Sequence, residues 1–273
     1  MLKQRIITAL LLAPLIIWGI FALSEPAFNL ALAVVMGLAA WEWAQLAGWK
    51  KPVYRIGYTL LILFLLYAMS YVVHQQQVIT TLFVIVLVWW TLKLIHLFSY
   101  RHRDLPTQVH TFTALLSGLP VLIGTYFALA LLRNTPDYGP AHIMMLMLLV
   151  WGADTAAYFV GRRFGKNKLL LAVSPGKSWE GVWGALVASV LLSLLGGFYF
   201  ELTDTQLLLF MLVGLLTVVF SIAGDLNESY YKRRVGIKDS GKILPGHGGI
   251  LDRIDSLTAA APVYYFGLVI SHI

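Results

Sequence analysis

The chain has 273 residues, 59% hydrophobic and only 12% charged, with 20 Lys+Arg against 13 Asp+Glu for a net charge of +7 and no cysteine. Soluble domains carry about 45–50% apolar and about 25% charged residues, and even a ~300-residue globule buries only about 75% of its unfolded surface. Water-soluble globules, disordered chains, collagen and coiled coils are therefore excluded, as are disulfides, thiolate zinc sites and cysteine nucleophiles, leaving an all-α polytopic membrane protein.

A helix crossing about 30 Å of hydrocarbon needs roughly 20 mostly apolar residues. Nine windows qualify: 6–23, 27–46, 56–73, 78–98, 112–132, 142–161, 181–200, 205–223 and 257–270. The last is short unless part of the preceding 250–256 is also helical. Lys3 and Arg5 precede the first window, and Ala22-Leu23-Ser24 faintly resembles a cleavage site. Its apolar run is nevertheless longer than a signal core and eight further spans follow, so it is expected to stay as a span.

Orientation follows the lysine and arginine distribution. With the N-terminus in the cytoplasm, the same side holds Lys3, Arg5, Lys50, Lys51, Arg55, Arg101, Arg103, Arg162, Arg163, Lys166, Lys168 and Lys177. It also holds Lys232, Arg233, Arg234, Lys238, Lys242 and Arg253, making 18 of the 20 basic residues. Lys93 lies inside a span, and Arg133 falls outside with Asp137 beside it. Anionic head groups account for scattered cations of this kind. They account less well for the 11 that crowd into the last two cytoplasmic loops. Residues 1–110 thus read as a transmembrane scaffold and 111–273 as the catalytic region of one continuous membrane unit.

Acids within spans are costly and usually mark function. Glu42, in Trp41-Glu42-Trp43, lies near a helix end where tryptophans favour the interface, and is assigned mostly to anchoring. Asp154 lies about 12 Å below the helix end at Arg162, at 1.5 Å per residue, and is expected to line a wet pocket rather than to pack the bundle. Next comes Ser174-Pro-Gly-Lys177-Ser178-Trp-Glu-Gly181, which is not a Walker A loop because Leu171 stands where glycine is required. Lys177 and Ser178 at a helix start still offer an ammonium, a hydroxyl and free N–H groups to an anion.

In the eighth span Ser221, Asp225, Glu228, Ser229 and Lys232 share one helical face. The loop beyond supplies Lys238-Asp239-Ser-Gly-Lys242 and then Gly246-His247-Gly-Gly, after which Asp252, Asp255 and Ser256 share a second face. Carboxylates from two helices at one depth repel unless protonated or neutralised. Few, oxygen-only ligands suit Mg²⁺ completed by water and substrate phosphate; ion pairs to Lys232, Arg233 and Arg253 are the structural alternative, and both can hold. These features suggest a polyphosphate and metal site under the cytoplasmic surface.

The stretch from Ser229 to Asp255 reads Ser-Tyr-Tyr-Lys-Arg, four residues, Lys238-Asp239-Ser-Gly, three residues, then Pro-Gly-His247-Gly-Gly-Ile-Leu-Asp252-Arg253-Ile-Asp255. It resembles the signature of the phosphatidate cytidylyltransferase (CDP-diacylglycerol synthase) family. The resemblance extends to Val150–Tyr158, Ser174–Gly181 and Ala-Ala-Trp-Glu42-Trp. Tyr231 departs from a more usual aliphatic residue or Phe, and Ser178 from Thr, with its hydroxyl kept.

The resemblance implies that CTP and phosphatidic acid give CDP-diacylglycerol and pyrophosphate at the cytoplasmic leaflet of a bacterial inner membrane. It implies Asp225 and Asp252 as metal-binding acids for Mg²⁺, with a monovalent ion such as K⁺ beside it, and a homodimer; no nucleic-acid partner is expected. The expected catalytic residues are Asp225, Asp252, Lys238 and Arg253, with Glu228 a further metal ligand. Substrate contacts are expected from Asp154, Ser174, Lys177, Ser178, Lys232, Asp239, His247 and Asp255. The phosphate of phosphatidate, already ionised near neutral pH, would attack the α-phosphorus of CTP without a protein nucleophile.

Three rivals make different demands. A CTP-dependent lipid-alcohol kinase would release CDP. A CDP-alcohol phosphotransferase would need Asp-Gly-x2-Ala-Arg followed by two spaced aspartates, a pattern this chain lacks. An ion-coupled secondary transporter would show inverted repeats and broken helices in matching halves, whereas here the unusual residues lie in one half.

Overall fold

In hydrocarbon every backbone N–H and C=O must be paired within the chain, which favours uninterrupted helices. The computed structural model describes the chain except residues 1, 102–104, 106–109 and 245, and except the side chains of 2–7 and 9. Arg103 and the side chains of Lys3 and Arg5 therefore lie outside the described residues, as does the proline before Gly246.

Among the described residues nine helices run in chain order: α1 (Leu2–Ala22), α2 (Glu25–Leu46), α3 (Pro52–Ser70), α4 (Gln76–Phe98), α5 (Thr111–Arg133), α6 (Gly139–Phe164), α7 (Trp179–Tyr199), α8 (Asp204–Arg234) and α9 (Leu251–Ser271). Eight are long and apolar enough to cross a membrane; in α1 the apolar stretch described is Leu10–Ala22. Prolines open α2, α3 and α6, where the missing N–H costs nothing. All nine expected windows fall on these helices.

Two helices run further than their apolar windows. α8 continues to Arg234, so its 31 residues span about 46 Å, well beyond the ~30 Å hydrocarbon core. α9 begins at Leu251, so most of the segment before the last window is helical and the span reaches full length. Between α6 and α7 a small antiparallel hairpin forms from β1 (Lys168–Leu170) and β2 (Ser174–Ser178), with Lys168 opposite Ser178 and Leu170 opposite Ser174.

α5 and α9 form the centre: 67% and 61% of their apolar windows are buried, against 17% for α3. Leu60, Phe64 and Tyr67 of α3 accordingly face outward, as apolar side chains facing lipid do. Successive helices run antiparallel. The C-terminal ends of α2, α4, α6 and α8 and the N-terminal ends of α5, α7 and α9 meet at one end of the bundle, where Trp43 Nε1 donates to Ala114 O at 2.8 Å and its ring lies tilted 5.1 Å from that of Tyr231. At the opposite end Arg133 donates to Leu23 O at 2.7 Å; this carbonyl, rather than its sequence neighbour Asp137, is its hydrogen-bond partner.

Candidate functional site

α6 and α7 touch through glycine. A Cβ on Gly181 would lie 2.9 Å from Ala157 O and 3.6 Å from Gly161 Cα, so only bare backbone permits this approach. Ser178, the N-cap of α7, accepts from Gly181 N at 3.2 Å and is thereby wedged against α6. Above the wedge α6, α7, α8 and the hairpin enclose a cavity of about 650 Å³, lined by Asp154, Arg162, Lys168, Lys177, Ser178 and Asp225, with Ala153, Val182, Ala185 and Ile222 as its apolar floor. The expected pocket-lining position of Asp154 is thus what the structure shows. Lys177 Nζ reaches Asp225 Oδ2 at 2.7 Å across it, and Ser229 Oγ donates to Asp225 Oδ1 at 3.2 Å.

Behind Asp225 lies a buried knot. A Cβ on Gly224 would meet Asp255 O at 2.3 Å, so α8 and α9 are in backbone contact there, with Asp255 near Asp225 and Glu228. One turn on, Lys232 Nζ bridges the helices, donating to Glu228 Oε2 at 2.8 Å and to Asp252 Oδ1 at 2.7 Å. The second Asp252 oxygen accepts from the amides of Ser240 and Gly249, both at 2.8 Å. Ser240 Oγ lies 2.9 Å from Asp252 Oδ2 and equally far from Glu42 Oε2.

Glu42 is fully buried and accepts from Ile250 N at 3.1 Å and Leu251 N at 2.8 Å. Its role is structural, as expected, but by a different means. Instead of reaching the interface it caps α9 from another helix, satisfying N–H groups that have no partner within α9. The glycine-rich loop must close tightly around both acids. Gly248, at φ +85, would place a Cβ 2.6 Å from Asp252 Oδ2, and one on Gly249 would lie 2.3 Å from both Glu42 Oε2 and Ser240 Oγ.

The remaining expected residues lie elsewhere. Lys238 and Asp239 line a separate hollow of about 510 Å³ with Trp41, Gln45, Arg55 and Lys242. Arg253 is exposed and donates to His247 O at 3.1 Å, holding the turn; His247 Nδ1 is buried without a hydrogen-bond partner. Ser174 serves as a hairpin position. Of the three cations weighed as ion-pair partners, Lys232 makes the pair, while Arg233 Nε donates to Val173 O at 3.4 Å. Tyr231, the departure from the signature, places its hydroxyl 3.3 Å from Lys93 Nζ, which rests 4.6 Å over the rings of both Tyr230 and Tyr231.

Sequence reasoning passed over Ser240, which joins Glu42 to Asp252, and gave Arg162 and Lys168 no role beyond charge. Ser240 was legible as the only hydroxyl in Lys-Asp-Ser-Gly; the other two carried no local signal.

The acid-rich core has a surplus of negative charge. Asp225, Glu228, Asp252 and Asp255 are met by two ammonium groups, Lys177 and Lys232, and Glu228 Oε1 is buried with no donor. Among the described residues no three His, Asp or Glu side chains converge on one point. An all-oxygen set with an orphaned carboxylate oxygen fits a hard divalent cation that takes its other ligands from water and phosphate.

Along nearly its whole length the chain is similar to known proteins. The model of a family described as "Cytidylyltransferase family" matches residues 3–271. A Pseudomonas aeruginosa protein named phosphatidate cytidylyltransferase is 46% identical over 264 residues, covering 97% of this chain and 96% of that protein. A Haemophilus influenzae protein of the same name is 36% identical over 282 residues, covering 97% and 98%. A Bacillus subtilis namesake is 39% identical over 166 residues, covering 59% and 61%. With the match running from end to end and taking in every helix around the charged core, the chain belongs to the cytidylyltransferase family.

Proposed function

We propose that this integral membrane protein is a phosphatidate cytidylyltransferase, converting CTP and phosphatidic acid to CDP-diacylglycerol and pyrophosphate in phospholipid biosynthesis. One observation carries the reading beyond the names of its relatives: the cavity at the end of α6–α8 joins a cationic rim, a Lys177–Asp225 pair and an apolar floor in one space. A water-soluble triphosphate and a membrane lipid meet in such a place.

The chemistry needs no protein nucleophile. A phosphate oxygen of phosphatidate forms a bond to the α-phosphorus of CTP as the bond to the bridging oxygen of the β-phosphate breaks, and pyrophosphate leaves with that electron pair. Positioning and charge neutralisation do the rest. Lys177, Lys168 and Arg162 face the cavity and would bind the lipid phosphate and the triphosphate. Asp225, Glu228 and Asp252 would hold Mg²⁺ only by drawing together and releasing their lysine partners, since they do not converge on one point as they stand, with Asp154 and Asp255 orienting its surroundings. Bound Mg²⁺ supplies neutralisation of the triphosphate charge. Lys232, held between Glu228 and Asp252, keeps those acids in place. Lys238 and Asp239, in the loop outside the cavity, would approach the nucleotide from the neighbouring hollow, and Arg253, in the first turn of α9, would reach it from the adjoining turn.

In this reading the site lies on the cytoplasmic side of a bacterial inner membrane, with the N-terminus on that side. The lysines and arginines of the loops at this end of the bundle support both assignments. The test is an assay of the purified full chain with labelled CTP and phosphatidate, identifying both products. CDP-diacylglycerol with pyrophosphate, formed only when Mg²⁺ is supplied, is expected; release of CDP would move the chain to the lipid-kinase reading.

A further inference from the structure

The α6–α7 seam that forms the floor of the charged cavity carries a second hollow towards the other end of the bundle. It has a volume of about 400 Å³, and Phe21, Met144, Met145, Leu148, Leu195 and Tyr199 are among its walls. No charged side chain lines it. Leu148, Leu195 and Tyr199 are 42%, 65% and 65% exposed, so the hollow is a groove open to the bilayer. Leu192, a wall of the groove, packs on α6 where a Cβ on Gly152 would be 2.5 Å from its Cδ1.

Both spaces thus lie along the same two helices in register. Asp154 is six residues from Leu148 and ten from Met144, about 9 and 15 Å at 1.5 Å per residue. One leaflet takes about half of the ~30 Å hydrocarbon core, again about 15 Å. A lipid whose phosphate is drawn in to the level of Asp154 and Lys177 therefore carries a chain of about 15 Å past Leu148 to the level of Met144, beyond the mid-plane of the bilayer. An apolar groove lies at that depth, on the same seam.

We propose that this groove receives the end of an acyl chain of the lipid substrate and so sets the enzyme's chain-length preference. The proposal rests on the cytidylyl-transfer reading of the cavity above it. Short chains end before the groove and gain nothing from it, whereas long chains fill it. Packing, rather than escape from water, distinguishes the two, because lipid tails surround the helices in any case. A bulky side chain in the groove then penalises long chains selectively.

The experiment compares kcat/KM for dipalmitoyl and dioctanoyl phosphatidate in the full-length protein, purified in micelles, and takes the ratio within each variant so that a general loss of activity cancels. Leu148→Trp is expected to lower the long-to-short ratio about threefold, less than the roughly tenfold or more that one methylene is worth in a closed pocket filled from water. Leu191→Trp, on α7 facing the bilayer outside the groove, serves as the control for an added indole at the lipid surface. If Leu148→Trp does not fold, Met144→Trp carries the same expectation, and Met144→Ala, which widens the groove, should raise the ratio. Ratios in the groove variants equal to that of Leu191→Trp would overturn the proposal and leave the groove to bulk lipid. No CDP-diacylglycerol from the unaltered chain with either substrate would instead overturn the reading of the cavity on which the proposal stands.

Discussion

The acids at one end of this bundle fall into two regions that share a residue type and little else. On the cavity side Asp225 faces open space, held by Lys177 at 2.7 Å through side chains that are 24% and 28% exposed. In the loop knot, Glu42 and Asp252 are saturated by backbone amides, the Ser240 hydroxyl and Lys232. Glu42, tied to two amides and a hydroxyl, is a structural rivet, whereas Asp252 can turn to a cation only by giving up Lys232. Asp225, held by one ammonium and the Ser229 hydroxyl beside a cavity, can exchange the ammonium for a ligand. The two kinds lie within about one helical turn of each other, so depth alone does not distinguish working acids from building acids.

Substitution at the two sites should separate activity from stability. Asp225→Asn keeps size and shape but removes the charge facing the cavity. Turnover is expected to fall on the order of a thousandfold, the scale of losing one preorganised electrostatic contact or more, with the thermal midpoint nearly unchanged. Glu42→Ala should do the reverse. It strands the N–H groups of Ile250 and Leu251 at a buried helix start and removes one acceptor of Ser240. Unpaired buried donors cost about 1–3 kcal/mol each, and the melting temperature in detergent should drop by roughly 10 °C. Comparable melting curves for the two variants would erase the distinction.

Lys232 sits where the two regions join, and its removal is the sharper test. Lys232→Met leaves Glu228 and Asp252 facing each other without their shared ammonium. Breaking a buried pair costs about 3–5 kcal/mol, so this variant should lose both stability and turnover. If added Mg²⁺ restores part of the lost melting temperature, the acids themselves take up the cation. Destabilisation that Mg²⁺ does not relieve would assign Lys232 and its acids to the rivet alone.

How much of this was legible in the sequence follows from the range of each interaction. The spans are written in hydropathy, a local property, and every window falls on a helix. The end of α8 is not, because a helix supplies its own hydrogen bonds and runs on as polar as its surroundings permit; the apolar window stopped at 223 while the helix continues to Arg234. The facing stripe of Asp225, Glu228 and Lys232 was visible as spacing, and Asp154 as a charge too deep to be idle. Glu42 was misjudged in its means because its partners lie about two hundred residues along the chain. In sequence, Trp-Glu-Trp looks like an interface belt. The Ser174–Ser178 strand was missed too, since proline and glycine within five residues speak against a strand. Lys238 and Asp239 show the limit of adjacency: they stand beside the signature acids in sequence, yet they line a different hollow.

The smallest effect concerns the departure from the family signature at Tyr231. Its hydroxyl is 3.3 Å from Lys93 Nζ, a long contact, while the ammonium also lies 4.6 Å over the rings of Tyr230 and Tyr231. Tyr231→Phe removes the hydroxyl but keeps both aromatic faces. The cation–π contribution, worth about 0.5–2 kcal/mol depending on desolvation, therefore survives, as does the packing of the ring on Trp43. The variant should melt within about 2 °C of the unaltered chain, corresponding to a change below about 1 kcal/mol, and should turn over at the same rate. Lys93→Met, which deletes the cation itself, should cost more than Tyr231→Phe in the same melting experiment. If the order were reversed, the hydroxyl rather than the two rings would be what holds a lysine inside this membrane span.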